Sequence, residues 1–304
     1  MPKRYVFFTA LSYAYPIYRP LQEAIRARGD EVAWFLEGEC PDLLKPDEIR
    51  LHTINDVIEY NPLAIFACGN IIYHFLPGIK VSVFHGYPIG KRGEKTSATD
   101  DHFSIRGWFD MYCTQGPSST EYFKQLEAKH QFFKVYQTGW AKVDDYFSSY
   151  KKENDVPTIL YATTFSKGIT SAPVLVDTIS RLVKEKKWNW RLTFHPKLND
   201  QALLDRYRAL ADEYSNVTFV DNVRLEDFQQ SDVMLCDSSS IILEFMMMNK
   251  PVVTYRNTNP GQHLLNVTEV SEVENAIETA LTRPASLMKE VNDFAHYHEA
   301  YRDG

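Results

Sequence analysis

The stretch at residues 231–257 constrains the fold of this chain more than any other part of the sequence. It reads SDVMLCDSSSIILEFMMMNKPVVTYRN. The apolar run 232–236 suits a buried parallel strand, residues 241–248 suit a helix, and residues 252–255 suit a second strand. A strand, a polar turn, a helix and a further strand make up the repeating unit of a parallel sheet flanked by helices. The stretch therefore predicts an α/β fold.

A cluster of small polar residues fills the turn between that strand and that helix. Asp237, Ser238, Ser239 and Ser240 stand where the first turn of a helix leaves backbone N–H groups without partners. Serines at such a position either cap the helix or bind phosphate, and three serines exceed what one cap needs. Glu244 lies one helical turn after Ser240, where it either contacts ribose hydroxyls or is an ordinary solvated or ion-paired residue. The sequence leaves both interpretations open, for the serines and for Glu244.

The rest of the sequence alternates strand and helix patterns on both sides of a polar segment, residues 150–157. Before that segment, the pattern predicts strands at 5–9, 31–36, 63–68, 80–84 and 109–114, and helices at 17–28 and from 117 onward. After it, the pattern predicts strands at 158–162, 190–194 and 217–220, and helices at 173–186, 201–213 and 271–281.

Two α/β halves joined by a polar linker predict two domains with a ligand cleft between them. We place the domains at residues 1–150 and 151–285, followed by a C-terminal helix at 286–304 that could return to the first domain. In sheets of this class, ligands bind at the carboxyl ends of the strands. Polar residues directly after predicted strands are therefore the first candidates for a functional site.

The charge balance and the cysteines narrow the class of protein. The chain carries 33 basic and 40 acidic residues, a net charge of −7, which argues against general nucleic-acid binding. The four cysteines are widely spaced, and Cys68, Cys113 and Cys236 lie in apolar runs, so we expect reduced packing residues in a cytoplasmic protein. No signal peptide or transmembrane span is predicted, and peripheral contact with the inner face of the cell membrane stays open.

One candidate for chemistry is His85, which follows the apolar run 81–84. Gly86 comes directly after it and allows the backbone to turn sharply. An imidazole has a reference pKa of about 6.5, which suits a general base, and the alternative is a turn histidine hydrogen-bonded to the backbone. The following loop carries basic residues that either attract an anionic acceptor or form a solvated surface: Lys91, Arg92 and Lys95.

A second histidine, His195, ends the predicted strand 190–194. Pro196 prevents the strand from continuing, and Lys197 adds a cation, so that the group could face a pyrophosphate. A strand-end histidine without a ligand is the alternative. Thr163 and Thr164 follow the strand 158–162, where their hydroxyls and backbone N–H groups either contact phosphate or form a plain turn.

Metal and cofactor patterns are weak in this sequence. No pair of histidines or cysteines has convincing metal-ligand spacing, and a P-loop is absent. His296 and His298 are two residues apart on a predicted helix, so they would not share a face. The sequence therefore predicts no cofactor and leaves Mg²⁺ open.

Four segments carry a family resemblance. They read FHGYP at 84–88, ILYATTF at 159–165, FHPK at 194–197 and SDVMLCDSSSIILEFMMMNKPVVTY at 231–255, and the terminal HYHEAYRDG at 296–304 adds to them. Together they resemble the CDP-glycerol glycerophosphotransferase family, of the teichoic-acid primase and polymerase type. The fourth segment is the most specific, because family members carry a similar aspartate, serine pair, apolar helix and lysine–proline. The resemblance extends from about residue 80 to the end of the sequence.

The resemblance implies a GT-B fold, with a Rossmann-like acceptor domain followed by a Rossmann-like domain for the nucleotide donor. It implies transfer of glycerol phosphate or ribitol phosphate from a CDP-alditol to a hydroxyl of a cell-surface polymer or lipid-linked acceptor, with release of CMP. His85 would be the base on the acceptor hydroxyl, and His195 would contact the donor pyrophosphate. The expected phosphate-binding residues are Ser238, Ser239 and Ser240, with Thr163, Thr164, Lys197 and Asp237 beside them and Glu244 on the ribose by extension from other GT-B enzymes.

Two other functions fit the same sequence. One is a GT-B enzyme that uses a nucleotide sugar, either a glycosyltransferase or an enzyme similar to UDP-GlcNAc 2-epimerase. The other is a non-catalytic binding or scaffold protein of capsule assembly. The products separate the two transferases, because a phosphotransferase forms an alditol-phosphate ester and CMP, whereas a glycosyltransferase forms a glycoside and a nucleoside diphosphate.

Overall fold

The computed structural model of the chain describes residues 1–87, 105, 107–147, 154–221 and 223–301, which form two compact units. The first unit contains residues 1–87, 105, 107–147 and 296–301, and the second contains residues 154–221 and 223–295. Several predicted features lie outside the described residues: Pro88, the basic loop with Lys91, Arg92 and Lys95, residues 150–153 of the polar segment, and residues 302–304.

The first unit is built on a parallel sheet. Its strands are β1 (Arg4–Thr9), β2 (Glu31–Leu36), β3 (Ile49–Leu51), β4 (Ala64–Ala67), β5 (Ile79–Ser82), β6 (Met111–Thr114) and β7 (Lys134–Gln137). Among the described residues, they lie in the order β3-β2-β1-β4-β5-β6-β7, and each neighbouring pair is parallel. The order reverses between β1 and β4, so the carboxyl ends of these strands form a switch point of the kind where such sheets bind ligands.

Helices join the strands of the first unit, and local sequence explains where they begin. The helices are α1 (Tyr15–Ala27), α2 (Ile54–Tyr60), α3 (Pro117–His130) and α4 (Asp144–Phe147). Thr53 and Asp56 form a capping box at the start of α2, where each satisfies a backbone N–H that the helix leaves unpaired. Pro117 opens α3, where its missing N–H is not needed.

The second unit is also built on a parallel sheet. Its strands are β8 (Thr158–Thr163), β9 (Asn189–Phe194), β10 (Val217–Val220), β11 (Val233–Cys236), β12 (Val252–Tyr255) and β13 (Leu265–Val267). Within the described ranges, their order is β10-β9-β8-β11-β12-β13, again all parallel. The switch point lies between β8 and β11, next to the polar turn that the sequence singles out.

The helices of the second unit follow its strands in turn. They are α5 (Ala172–Glu185), α6 (Gln201–Glu213), α7 (Leu225–Gln229), α8 (Ile241–Met246) and α9 (Val273–Leu281). A final helix, α10 (Ala285–His298), has its last residues in the first unit. Every residue of β8, β11 and β12 is buried, which explains why these strands appear in the sequence as continuous apolar runs. Within the described ranges, no helix has the length and apolar character needed to span a membrane.

Several predicted helices differ from the structure at their ends. The C-terminal helix predicted at 286–304 ends at His298, because the N–H of Ala300 donates to the carbonyl of Gln115 rather than within the helix. The helix predicted at 241–248 ends at Met246, because Met248 and Asn249 donate to the carbonyls three residues back rather than four. The helix predicted at 271–281 begins at Val273, since a short 3₁₀ turn precedes it. The cysteines are free thiols, as predicted, but Cys113 is only partly buried.

Candidate functional site

His85 lies beyond the carboxyl end of β5, in the first unit. Its Nδ1 is 3.0 Å from the carbonyl oxygen of Cys68, which follows β4. A carbonyl oxygen only accepts hydrogen bonds, so Nδ1 donates the proton and the lone pair of the neutral ring is on Nε2. The backbone contact and the base role, which the sequence set against each other, are therefore compatible, because they use different nitrogens.

Aromatic residues surround the turn that carries His85. The ring of Tyr13, from the short 3₁₀ turn after β1, has its centroid 5.4 Å from that of His85. Phe84 has a φ of 57°, a left-handed conformation that costs a bulky residue roughly 1–3 kcal/mol. Its ring packs 5.2 Å from that of Phe123 in the core, and this packing holds the strained residue in place. Tyr13 was not among the predicted site residues, since no strand-end pattern marks it.

His195 follows β9 in the second unit and has the opposite hydrogen-bonding state. Its Nδ1 accepts a hydrogen bond from the backbone N–H of Lys197 at 3.1 Å. In the neutral ring, the proton is then on Nε2, which can donate to an anion. The ring of Phe165 lies 4.4 Å from that of His195, and the ammonium of Lys197 lies 5.6 Å from the centroid of Phe165. The structure thus brings His195 and Lys197 together around one aromatic ring.

Asp237 follows β11 and is fully buried, with 0% of its surface exposed. One carboxylate oxygen accepts from the backbone N–H of Thr164 at 2.9 Å, and the other accepts from the N–H and the hydroxyl of Ser171 at 2.9 and 3.1 Å. Burial raises the pKa of this carboxyl group, while these hydrogen bonds act in the opposite direction. In this structure both oxygens hold the loop after β8, which gives Asp237 a positioning role. The phosphate contact predicted for Asp237 stays a prediction.

Thr163, the last residue of β8, and Thr164, which follows it, are both buried. Thr164 reaches Asp237 through its backbone N–H, as described above. Thr163 is 5% exposed, and its hydroxyl has no hydrogen-bond partner among the residues that the structure describes. A buried hydroxyl without a partner is unusual in a native fold, and a ligand or a water molecule is one way to satisfy it.

The three serines after Asp237 line one pocket, with a cavity volume of about 60 Å³. The hydroxyl of Ser238 accepts from the backbone N–H of Thr258 at 2.8 Å, so it fixes the opposite wall. Ser240 precedes α8 but makes no side-chain capping hydrogen bond, and the capping interpretation is wrong for this residue. The other lining residues are Ser239, Ile242, Asn257, Asn259, His263, Leu264 and Phe294.

A histidine that the sequence analysis did not select forms one side of this pocket. The ring of His263 stacks on Phe294 with centroids 3.6 Å apart and planes 10° apart. Burial lowers the pKa of His263 to about 4, so the ring is neutral at physiological pH. A Cβ at Gly261 would lie 2.5 Å from this ring, which explains the glycine there. Nothing in the sequence links residues 263 and 294, so a search by motif would not find this pair.

Glu244 is half-buried on α8 and is not among the residues that line the described pocket. Its prediction as a ribose contact stays a prediction. Within the described parts of the chain, no group of three histidine, cysteine, aspartate or glutamate side chains is arranged to hold a metal ion.

Comparison with protein families gives one match. The profile described as CDP-Glycerol:Poly(glycerophosphate) glycerophosphotransferase matches residues 82–259, which is more than half of the 304 residues. The matched range contains His85, His195 and the serine cluster. A comparison with curated protein sequences finds no significant match.

Solved structures share the fold of the whole chain. A putative UDP-N-acetylglucosamine 2-epimerase from Listeria monocytogenes has a TM-score of 0.66 at 14% identity, covering 100% of this chain and 93% of the other. The wall teichoic acid polymerase TagF has a TM-score of 0.64 at 15% identity, covering 96% and 84%. The S. aureus MnaA structure with UDP has a TM-score of 0.63 at 15% identity, covering 99% and 93%. At such identities the likeness concerns the fold alone, and it confirms two Rossmann-like α/β domains of GT-B type.

The family profile covers the histidines and the serine turn whose geometry is described above, and it confirms the resemblance found in the sequence. The chain belongs to the CDP-glycerol:poly(glycerophosphate) glycerophosphotransferase family and is a transferase.

Proposed function

We propose that this chain transfers glycerol phosphate or ribitol phosphate from a CDP-alditol to a hydroxyl of a cell-surface polymer or a lipid-linked acceptor, with release of CMP. Family membership supports the transfer of glycerol phosphate. A TagF structure soaked with CDPG has the same fold, which supports CDP-glycerol as the first donor to test. The enzyme would work in the cytoplasm, at the inner face of the membrane where a lipid-linked acceptor is presented.

The observation that carries the proposal is the opposite hydrogen-bonding state of the two histidines. A base on the acceptor hydroxyl needs a lone pair, and the bond from Nδ1 of His85 to a carbonyl leaves the lone pair on Nε2. A group that stabilises a pyrophosphate needs a proton, and the bond from the Lys197 N–H to Nδ1 of His195 leaves the proton on Nε2. Each imidazole is in the tautomer that its proposed role requires.

In the proposed reaction, the acceptor oxygen attacks the phosphorus that carries the alditol, while Nε2 of His85 takes the hydroxyl proton. A new P–O bond forms, the bond from that phosphorus to the bridging oxygen breaks, and CMP leaves with the electron pair. His195 donates from Nε2 to the pyrophosphate as negative charge grows on the leaving group. These atoms and charges balance without a metal ion, and whether Mg²⁺ adds to the rate is a question for experiment.

The proposed donor site divides into binding and positioning groups. Ser239 and Ser240 line the pocket and are proposed to bind the donor phosphates. Lys197, which lies beside His195, is proposed as the cation of the donor site. Ser238 and Asp237 are proposed to hold the surrounding loops, because their oxygens already accept hydrogen bonds from those loops. The remaining proposed donor contacts are Thr163, Thr164 and Glu244.

Nucleotide binding and CMP release test the proposal directly. We expect CDP-glycerol or CDP-ribitol, but not UDP or UDP-GlcNAc, to raise the melting temperature of the purified protein, since a ligand at 100 times its Kd adds about 2.7 kcal/mol of stability. We expect CMP to form when the protein receives the CDP-alditol and a lipid-linked glycerol phosphate oligomer as the acceptor probe.

Variants of one histidine and a matched control sharpen this test. The change His85→Ala should lower the rate of CMP release by roughly two to four powers of ten, the range set by loss of a general base. The matched change His130→Ala removes an exposed histidine at the end of α3 and should leave the rate unchanged. Normal CMP release by a folded His85→Ala variant would contradict the base role. Release of UDP from a UDP sugar would instead favour the nucleotide-sugar enzyme.

A further inference from the structure

A buried carboxylate from the end of the chain reaches the turn that carries His85. Glu299 is 0% exposed, and its Oε2 accepts a hydrogen bond from the phenol of Tyr87 at 2.7 Å. Its Oε1 accepts from the backbone N–H of Trp140 at 3.2 Å. Tyr87 is itself buried and packs edge-on against Trp140, with ring centroids 5.1 Å apart. Only one residue separates Tyr87 from His85 along the chain.

A second connection joins the same two segments through Gln115. Its side-chain amide donates to the carbonyl of Gly86 at 2.8 Å, and its backbone carbonyl accepts from the N–H of Ala300 at 3.0 Å. Gln115 is 1% exposed, so both hydrogen bonds lie in the interior of the first unit. Residues 298–301 thus contact the turn at residues 85–87 through two independent hydrogen-bonded routes.

Two glycines allow residues 298–301 to approach so closely. A Cβ at Gly116 would lie 2.4 Å from the carbonyl oxygen of His298, and a Cβ at Gly139 would lie 2.7 Å from Oε1 of Glu299. Gly139 also has a φ of 74°, which other residues adopt only with strain. The receiving surface is therefore shaped for the backbone of residues 298–301 and for the carboxylate of Glu299.

We propose that Glu299 is a positioning residue for His85, which acts through Tyr87 to hold the turn at residues 85–87 in the orientation that the base requires. This inference rests on the proposed function of His85. The strained φ of Phe84 fits this role, because a turn that begins with an unfavourable conformation persists through contacts with other segments, here the packing on Phe123 and the hydrogen bonds to residues 298–301. Glu299 itself is completely buried, so its role is separate from substrate binding.

The kinetic test uses variants of Glu299 and Tyr87. Glu299→Ala and Tyr87→Phe should each lower kcat by roughly ten- to a hundredfold with little change in the KM for the donor, since a displacement of about 1 Å in a catalytic group costs on that order. Glu299→Gln should retain most of the activity, because an amide keeps an acceptor for the Trp140 N–H and a polar partner for Tyr87. The exposed glutamate Glu121 on α3 provides a matched control, and Glu121→Ala should leave kcat unchanged.

A double-mutant cycle separates positioning from a general loss of stability. If Glu299 acts through His85, adding Glu299→Ala to the His85→Ala variant should lower the residual rate less than twofold. A further tenfold loss in the double variant would overturn the proposal, as would a Glu299→Ala variant that keeps the wild-type kcat.

Hydrogen exchange gives a second readout that does not depend on activity. In the Glu299→Ala variant, the amides of residues 83–87 should exchange at least tenfold faster than in the wild type, while those of β1 and β2 stay unchanged. Unchanged exchange at residues 83–87 would overturn the positioning role even if the enzyme proved to have another substrate. A third outcome is possible: the wild type does not turn over a CDP-alditol, but residues 83–87 exchange faster in the variant. That result would refute the proposed function and leave the positioning role intact.

Discussion

The ionisation of Glu299 should make the stability of the first unit depend on pH. Burial raises the pKa of this carboxyl group from 4.5 to about 7, and the hydrogen bond from Tyr87 and the charge of Asp144 act on it as lesser influences in opposite directions. A raised pKa means that the folded chain holds its proton more tightly than the unfolded chain does. The stabilisation is therefore complete below about pH 4.5 and is lost as the pH rises through about 7.

The magnitude follows from the same two pKa values. Each pH unit between 4.5 and about 7 corresponds to about 1.4 kcal/mol, so the wild type should lose about 3 kcal/mol of unfolding free energy over this interval. The perturbation is Glu299→Gln, which removes the titration. Its amide oxygen can accept from the Trp140 N–H, and its amide nitrogen can donate to the phenol oxygen of Tyr87, as a protonated carboxyl group would.

The assay is hydrogen exchange in increasing urea, because it reports the unfolding free energy of each segment separately. Wild type and Glu299→Gln are compared at each pH from 4.5 to 8, which cancels the titration of every other group. For β6 and β7, the unfolding free energy of the variant minus that of the wild type should rise by about 3 kcal/mol as the pH rises from 4.5 to 8. A difference that stays constant within about 0.5 kcal/mol would refute the assignment of a perturbed carboxyl group at this site.

Three further predictions concern other parts of the fold. Asp237→Ala should lower the unfolding free energy of the second unit by about 3 kcal/mol or more in urea denaturation, because it leaves buried donors unpaired. The control Asp205→Ala, at an exposed aspartate, should change it by less than about 0.5 kcal/mol. Gly116→Ala should lower the unfolding free energy of the first unit by roughly 1–3 kcal/mol in urea denaturation, while Gly69→Ala, where nothing lies within 4 Å of the added methyl, should not. Equal effects would contradict the steric argument. The lowered pKa of His263 predicts stability that is lost as pH falls from 6.5 through about 4, and a His263→Phe variant that still shows this loss would assign it to another group.

Much of the fold could be predicted from the sequence because buried parallel strands leave a strong local signal. The strands β2, β10 and β12 and the helix α6 have the predicted bounds. Other strands were not predicted because they are short and partly exposed, so that apolar residues do not accumulate in them. These are β3, β7 and β13.

The candidate site was predictable where it follows strand ends and not where it depends on distant parts of the chain. His85 and His195 stand directly after strands and could be selected by position, although their tautomers required the structure. His263 and Glu299 carry no local signal, since their roles come from contacts with Phe294 and with the turn at residues 85–87. Such pairs arise from tertiary packing, which the local sequence pattern does not encode.

The hydrogen bond between Tyr87 and Glu299 joins residues 212 positions apart, and this separation bears on the order of folding during translation. The ribosome releases the whole second unit before it releases residues 296–301, which complete the first unit. The surface around Gly116 and Gly139 that receives residues 298–301 therefore stays uncovered until the synthesis of residues 154–295 is finished. The first unit is therefore the part of the chain that is completed last, although most of it is synthesised first.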